Sequence, residues 1–259
     1  MKLSVVIPSY RDPLLHPTID SLLDNSQLGM ELEIIVVLDG YWPDKPVKDD
    51  PRVKVVHLGK NRGMRGAINA GVEASIGEYL MRVDEHQMFC KGYDTTVLET
   101  IKDDWIVTPR RYFLDPVKWE IMQEHGHVDR MKLSIRGPKF AGINWPGDPS
   151  LMLEESMAMQ GSCWFMPRKV WTDVIGELQT EGYGPLYQDS HEMVFKLWKV
   201  GGKLMINKYT WHAHKHRSFP RTHNNGTKEN PSNNADCFAY SLKVWRDYYE
   251  KEIKPKWKI

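Results

Sequence analysis

The chain has 259 residues, 41% of them hydrophobic and 27% charged, with a formal net charge of +1. That length can bury the core of one large α/β domain, and the charge balance gives no general attraction to nucleic acid or membrane. No apolar run approaches the roughly 18 residues a membrane-spanning helix needs, and the N-terminus lacks a small-residue signal cleavage site. Three cysteines (Cys90, Cys163 and Cys237) without CxxC spacing argue against a disulfide framework, so a reducing, cytoplasmic setting is expected.

Leu3 to Ile7 is a continuous β-favouring run closed by Pro8. Leu14, Leu15, Ile19, Leu22 and Leu23 then recur at helical spacing. Glu33 to Leu38 has a buried-strand pattern ended by Asp39-Gly40, and Val53 to Leu58 is a third strand. Between Met64 and Ser75, Ala67, Ile68, Gly71 and Val72 form one helical face, with Gly77 as a stop. Tyr79 to Val83 is a fourth strand, and it runs into Asp84-Glu85-His86. A carboxylate and an imidazole two positions apart leave a strand on the same side, a pair able to hold a divalent metal. Alternating strands and helices imply a mostly parallel sheet covered on both faces. Ligands of such sheets bind beyond the strands' carboxyl ends, which gathers Pro8-Ser9-Tyr10, Asp39-Gly40, Asn61-Arg62-Gly63 and Asp84-Glu85-His86 around one crevice.

The runs from Ser4 to Tyr10, Val37 to Gly40, Asn61 to Gly71 and Gly77 to Asp84 together resemble the nucleotide-sugar half of a GT-A glycosyltransferase, with glycosyltransferase family 2 the nearest pattern. The resemblance implies a single Rossmann-like α/β domain. It implies that Pro8, Ser9 and Tyr10 line the base pocket, that Asp39 holds the nucleoside, and that Arg62 or Arg65 approaches the diphosphate. UDP is the family's default nucleotide. Two departures stand out: Leu38 precedes Asp39 where a second acid is usual, and His86 replaces the second acid of the metal motif.

That Asp-any-His form resembles the polypeptide N-acetylgalactosaminyltransferases, as does the second half. Gly182 to Leu204 looks like their acidic acceptor-side helix, and Gly161 to Pro167 like the small-residue strand under the sugar. Trp211 to Arg217 matches their late metal-binding histidine, which makes His214 the third ligand beside Asp84 and His86, and Arg217 a phosphate partner. His212, His214 and His216 alternate, so a strand would align all three; His212 ranks second to His214 as a ligand. Carboxylate with imidazole suits Mn²⁺ and tolerates Mg²⁺. By the same resemblance Asp189 stands where inverting enzymes keep the carboxylate that deprotonates the acceptor hydroxyl. Glu192, one turn on, is the alternative base or a sugar-hydroxyl partner.

Residues 1–110 are thus expected to form the nucleotide-sugar half and 159–223 the acceptor and metal half. Residues 111–158 would be a variable segment, and 224–259 a loop and a C-terminal helix packing through Phe238, Leu242, Trp245 and Tyr249. The variable segment, rich in aromatic and charged residues with Gly-Pro punctuation, is expected to be loops, with Trp145 either shaping the acceptor site or packing on the core. The acceptor is expected to be a carbohydrate. A locally basic C-terminal region admits a modified base in DNA as an alternative. A nucleotidyltransferase, or an inactive nucleotide-sugar-binding module, is the remaining alternative.

Overall fold

The structure is a computed structural model that describes residues 1–215 and 234–259. The first part runs β1 (Leu3–Ser9), α1 (Leu15–Asn25), β2 (Leu32–Asp39), β3 (Val53–Leu58), α2 (Gly63–Glu73), β4 (Tyr79–Val83), β5 (Gln87–Phe89), α3 (Tyr93–Leu98) and β6 (Trp105–Asp115). Two short strands follow, β7 (Glu120–Ile121) and β8 (His127–Val128), then the hairpin β9 (Met131–Arg136) and β10 (Lys139–Asn144). The chain continues through β11 (Leu153–Glu155), β12 (Cys163–Pro167), α4 (Arg168–Val170), α5 (Asp189–Lys199) and β13 (Lys203–His214). Two helices close it, α6 (Asn234–Tyr248) and α7 (Lys254–Trp257).

The main sheet has the order β11-β13-β6-β12-β4-β1-β2-β3. Strands β3, β2, β1 and β4 are mutually parallel, β12 runs against β4 and β6, and β13 is parallel to β6. Six of the eight ordered strands therefore point one way. Their carboxyl ends share an edge with the start of β12. Both central strands β1 and β2 are buried almost end to end, which is why they read as unbroken apolar runs. The outermost strand β3 exposes Lys54 and Val55, as an edge strand does.

Apolar residues fill both faces. Val6, Ile35, Val37, Leu80 and Trp164 pack with α2, α5 and α6, while Leu3, Val5, Ile7, Ile34 and Phe165 pack with α1 and α3. This is the mostly parallel α/β sheet with helices on both faces that the sequence implied. Trp245 and Tyr249 of the C-terminal helical segment are buried, and Leu242 packs on the same core.

The variable segment differs from the expected loops. Residues 131–144 form an antiparallel hairpin with Leu133 and Phe140 buried on the α5–α6 side. The alternation of Met131, Leu133 and Ile135 before Gly137-Pro138 carried that signal. Trp145 lies beneath the Arg130 guanidinium (3.8 Å) and beside Trp257 (5.8 Å between rings), so it packs on the core as the second of its two readings had it. None of Cys90, Cys163 and Cys237 is in a disulfide.

Candidate active site

Residues far apart in sequence meet because of strand pairing. Asp84 leaves β4 where β12 begins, its backbone N–H donating to the Ser162 carbonyl at 3.0 Å. The antiparallel β5–β13 ladder sets Gln87 opposite His214. The N–H of Lys215 then donates to the carbonyl of His86 at 3.2 Å. The imidazole rings of His86 and His214 come to rest 4.9 Å apart.

Asp84, His86 and His214 offer one ligand atom each, all within 4.8 Å of one another. His214 Nε2 lies 3.1 Å from Asp84 Oδ2, and His86 Nε2 lies 3.8 Å from it. Asp12 holds the other ring nitrogen of His86 (Nδ1, 3.1 Å), which turns Nε2 toward Asp84. Outer carboxylates of this kind fix the ring of a ligating histidine. Burial opposes ionisation of Asp84, but the Arg82 guanidinium at 2.5 Å, with the two imidazoles, holds its carboxyl well below the usual range. Burial pushes His214 down to about 4, so its imidazole is neutral at physiological pH. An ionised carboxylate and a neutral imidazole are the forms that bind a divalent metal.

His212 is not in this group. It lies one pleat back on β13, buried beside Phe89, and neither ring nitrogen has a hydrogen-bond partner among the described residues. Glu85 points away from Asp84, its carboxylate accepting the N–H of Tyr10 at 3.1 Å.

Across the crevice, Asp189 is the first residue of α5, where the helix dipole suits a carboxylate. It is 6% exposed, and its Oδ2 has no hydrogen-bond partner among the described residues. A Cβ added to Gly161 would stand 3.0 Å from that oxygen. The carbonyl of the same Gly161 accepts a hydrogen bond from Arg82, the partner of Asp84. Asp84 and Asp189 thus flank one short bridge, Arg82 and Gly161.

At the end of β1, Pro8 and Tyr10 are half-buried, and the hydroxyls of Ser9 and Tyr41 are hydrogen-bonded to each other. The Tyr10 and Tyr41 rings meet edge to face at 5.8 Å. Asp39 is engaged inside the protein. Its carboxylate accepts Asn61 Nδ2 (2.8 Å) and the N–H groups of Arg62 (2.6 Å) and Gly63 (2.8 Å), tying β2 to the first turn of α2. Burial pushes it up to about 6 despite those bonds. Gly40 and Gly63 both have φ +76, and a Cβ on Gly40 would stand 2.3 Å from the backbone nitrogen of Asn61.

Two expected ligand-facing residues face inward. Arg62 is exposed, but Arg65 is 0% exposed, its guanidinium held by Glu192 and by the carbonyls of Tyr187 and Gln179. Glu192, 1% exposed, is paired with Arg65 (2.5 Å) and Lys196 (2.7 Å). A charge enclosed with its counter-charge has no room to meet a diphosphate or to take a proton from an acceptor. Arg217 and His216 lie outside the described residues. Sequence reasoning passed over Asp12, Arg82 and Tyr41. Arg82, a charge inside an otherwise apolar strand, was a visible signal; Asp12, in a loop 74 positions from His86, carried none.

A mostly parallel sheet covered on both faces, whose strand ends gather Asp84, His86 and His214 near Asp189, is the arrangement of a GT-A protein. Residues 4–170 match the family described as Glycosyl transferase family 2, and the chain belongs to that family. It is 36% identical over 97 residues to "Uncharacterized glycosyltransferase YwdF" of Bacillus subtilis (strain 168), covering 36% of this chain and 35% of that one. It is 23% identical over 280 residues to mouse (Mus musculus) polypeptide N-acetylgalactosaminyltransferase 12, covering 96% of this chain and 45% of that one. The crystal structure of GalNAc-T7 with UDP, GalNAc and Mn²⁺ shares the fold, with a TM-score of 0.79 at 18% identity over 98% of this chain and 50% of that one. The chain spans half or less of the length of each of these relatives. No helix among the described residues is long and apolar enough to cross a membrane.

Proposed function

We propose that the protein is a metal-dependent glycosyltransferase that moves a sugar from a UDP-sugar to an acceptor hydroxyl with inversion at the anomeric carbon. The observation that carries this reading is the Asp84–His86–His214 group facing, across Gly161, the Oδ2 of Asp189, which has no partner among the described residues. Asp84, His86 and His214 would hold Mn²⁺ or Mg²⁺, and the bound ion supplies charge neutralisation for the diphosphate. Asp189 accepts the proton of the acceptor hydroxyl. The hydroxyl oxygen then bonds to the anomeric carbon from the face opposite the nucleotide. The bond from that carbon to the diphosphate oxygen breaks, and the nucleoside diphosphate leaves with the electron pair. Pro8, Ser9 and Tyr10, with Tyr41 beside them, would line the base pocket, and exposed Arg62 at the start of α2 would meet the diphosphate, as would Arg217. Asp39 would act on the nucleotide through the 61–63 turn that it holds.

UDP is supported by family membership and by the nucleotide named in the GalNAc-T7 structure. A carbohydrate acceptor is supported by the same family membership. For a DNA acceptor, two of the C-terminal lysines are already paired, Lys251 with Asp247 and Lys254 with Glu250, and much of the basic region lies outside the described residues. The test is incubation with a panel of α-linked UDP-sugars and Mn²⁺, with water as acceptor, while proton NMR follows the sugar released. The β anomer should appear before mutarotation equalises the two. Release of the α anomer first would overturn inversion, and no release with any donor would overturn the activity.

A further inference from the structure

The fully buried Arg65 and Glu192 are more than a structural ion pair. Arg65 stands on α2 and Glu192 on α5. The guanidinium grips one particular carbonyl twice, Nε and Nη2 reaching the oxygen of Tyr187 at 3.1 and 2.8 Å. Its remaining nitrogen, Nη1, meets Glu192 and the carbonyl of Gln179 (2.9 Å). The other carboxylate oxygen of Glu192 takes Lys196 at 2.7 Å. The Tyr183 ring lies against the guanidinium at 4.2 Å, and the indole N–H of Trp245 on α6 donates to the Tyr183 hydroxyl at 2.7 Å.

What this assembly holds is unusual backbone. Tyr187 and Gln188 are consecutive residues with left-handed φ values of +65 and +54. Residues with a Cβ adopt that conformation at a cost, and a pair of them persists only where the surroundings impose it. Two further bonds hold the second member: Gln188 Nε2 donates to the Phe140 carbonyl and Ser241 Oγ donates to Gln188 Oε1, both at 3.2 Å. The next residue is Asp189. The direction in which α5 starts, and so the direction in which Asp189 points, follows from these two residues.

We propose that Arg65, anchored by Glu192, is a positioning residue that fixes the left-handed 187–188 turn and thereby aims the Asp189 carboxylate at the acceptor. This rests on the reading of Asp189 as the base. Lysine at position 65 can still neutralise Glu192, but its single ammonium cannot reproduce a fork closed on one carbonyl.

The test compares the wild type with Arg65→Lys, and with Arg65→Met/Glu192→Met, which removes both buried charges together. Donor turnover with Mn²⁺ is measured across pH in the wild-type and Asp189→Asn backgrounds, with UDP–Mn²⁺ thermal shifts as a measure of donor binding. Expected is a fall in kcat of about tenfold or more for both variants, with KM for the donor and the UDP shift within about twofold. The acid limb of the kcat profile should move. In the Asp189→Asn background Arg65→Lys should cost little more, because the residue it aims is already disabled. Wild-type kcat and pH profile in a folded variant would overturn the proposal. So would a loss confined to KM, or an equal loss in both backgrounds. A wild type that turns over no donor would sink the enzymatic reading and this proposal with it; an active wild type with unchanged variants sinks this proposal alone.

Discussion

Two clusters of charge flank the crevice, and they differ in how completely their partners are supplied from within. Around Arg65 and Glu192 the guanidinium and carboxylate are enclosed, and every hydrogen-bonding nitrogen and carboxylate oxygen has a protein partner. Around Asp84 the groups bond chiefly to one another, His214 Nε2 standing 3.1 Å and His86 Nε2 3.8 Å from Asp84 Oδ2. One carboxylate and two imidazoles turn their ligand atoms toward a common point, and Asp189 Oδ2 nearby has no partner among the described residues. Charges enclosed among fixed partners organise the protein; ligand atoms that converge on one point, beside a carboxylate oxygen without a partner among the described residues, mark charges available to a ligand.

That contrast can be broken most directly by removing one member from each cluster. His214→Ala should abolish metal-dependent donor turnover, a loss of about 100-fold or more, together with the thermal shift given by UDP and Mn²⁺. Its stability without metal should change by no more than about 1–2 kcal/mol, because the ring is only one hydrogen-bond partner of Asp84. Arg65→Ala should behave in the opposite way. It takes away the enclosed counter-charge of Glu192, leaving Lys196 as its ion partner, and should cost about 3 kcal/mol in urea unfolding. If His214→Ala unfolds the protein, or Arg65→Ala leaves its stability intact, the distinction between the clusters fails.

The first half of this contrast was legible in sequence and the second was not. Val53–Leu58 and Tyr79–Val83 form strands with the bounds their sequence runs suggested, because stretches of β-favouring residues leave a local signature at a sheet edge as well as inside it. The Asp84–His86 pair was visible for a similar reason: a two-residue spacing at a strand end. Arg65 and Glu192 could not be distinguished from ligand-facing residues, since a guanidinium beside a glycine-rich turn and a carboxylate one turn into a helix look alike in either role. Their pairing joins positions 127 apart, and only the packing of α2 against α5 makes it. Asp39 is an intermediate case. It was read as a ligand residue, and it acts on the 61–63 turn through bonds its local sequence does not announce. Asp39→Asn offers an amide N–H₂ to the backbone N–H groups of that turn, and should cost about 1–3 kcal/mol, read by urea unfolding. Donor KM should rise with little change in kcat; a change in kcat alone would separate Asp39 from the nucleotide.

Asp39 also supports a smaller prediction, because its titration opposes that of His191. Burial raises Asp39 from an ordinary 3.8 to about 6, so its contribution to stability is complete below about 3.8 and is lost as pH rises through 6. Burial lowers His191 from 6.5 to about 4, so below 6.5 the unfolded chain binds a proton that the folded protein refuses. Stability from that group is lost as pH falls from 6.5 toward 4. Buried His212 and His214 shift in the same direction as His191. Three imidazoles against one carboxyl predict net destabilisation on acidification across this window, measured by urea unfolding without metal. His191→Gln should make the slope shallower, and Asp39→Asn should make it steeper, since it removes a group that opposes it. A steeper slope in His191→Gln would mean that its imidazole is protonated in the folded protein. The neighbour that would favour that proton is Asp189, and the Asp189 carboxylate would then be shared with His191 and no longer available to an acceptor hydroxyl.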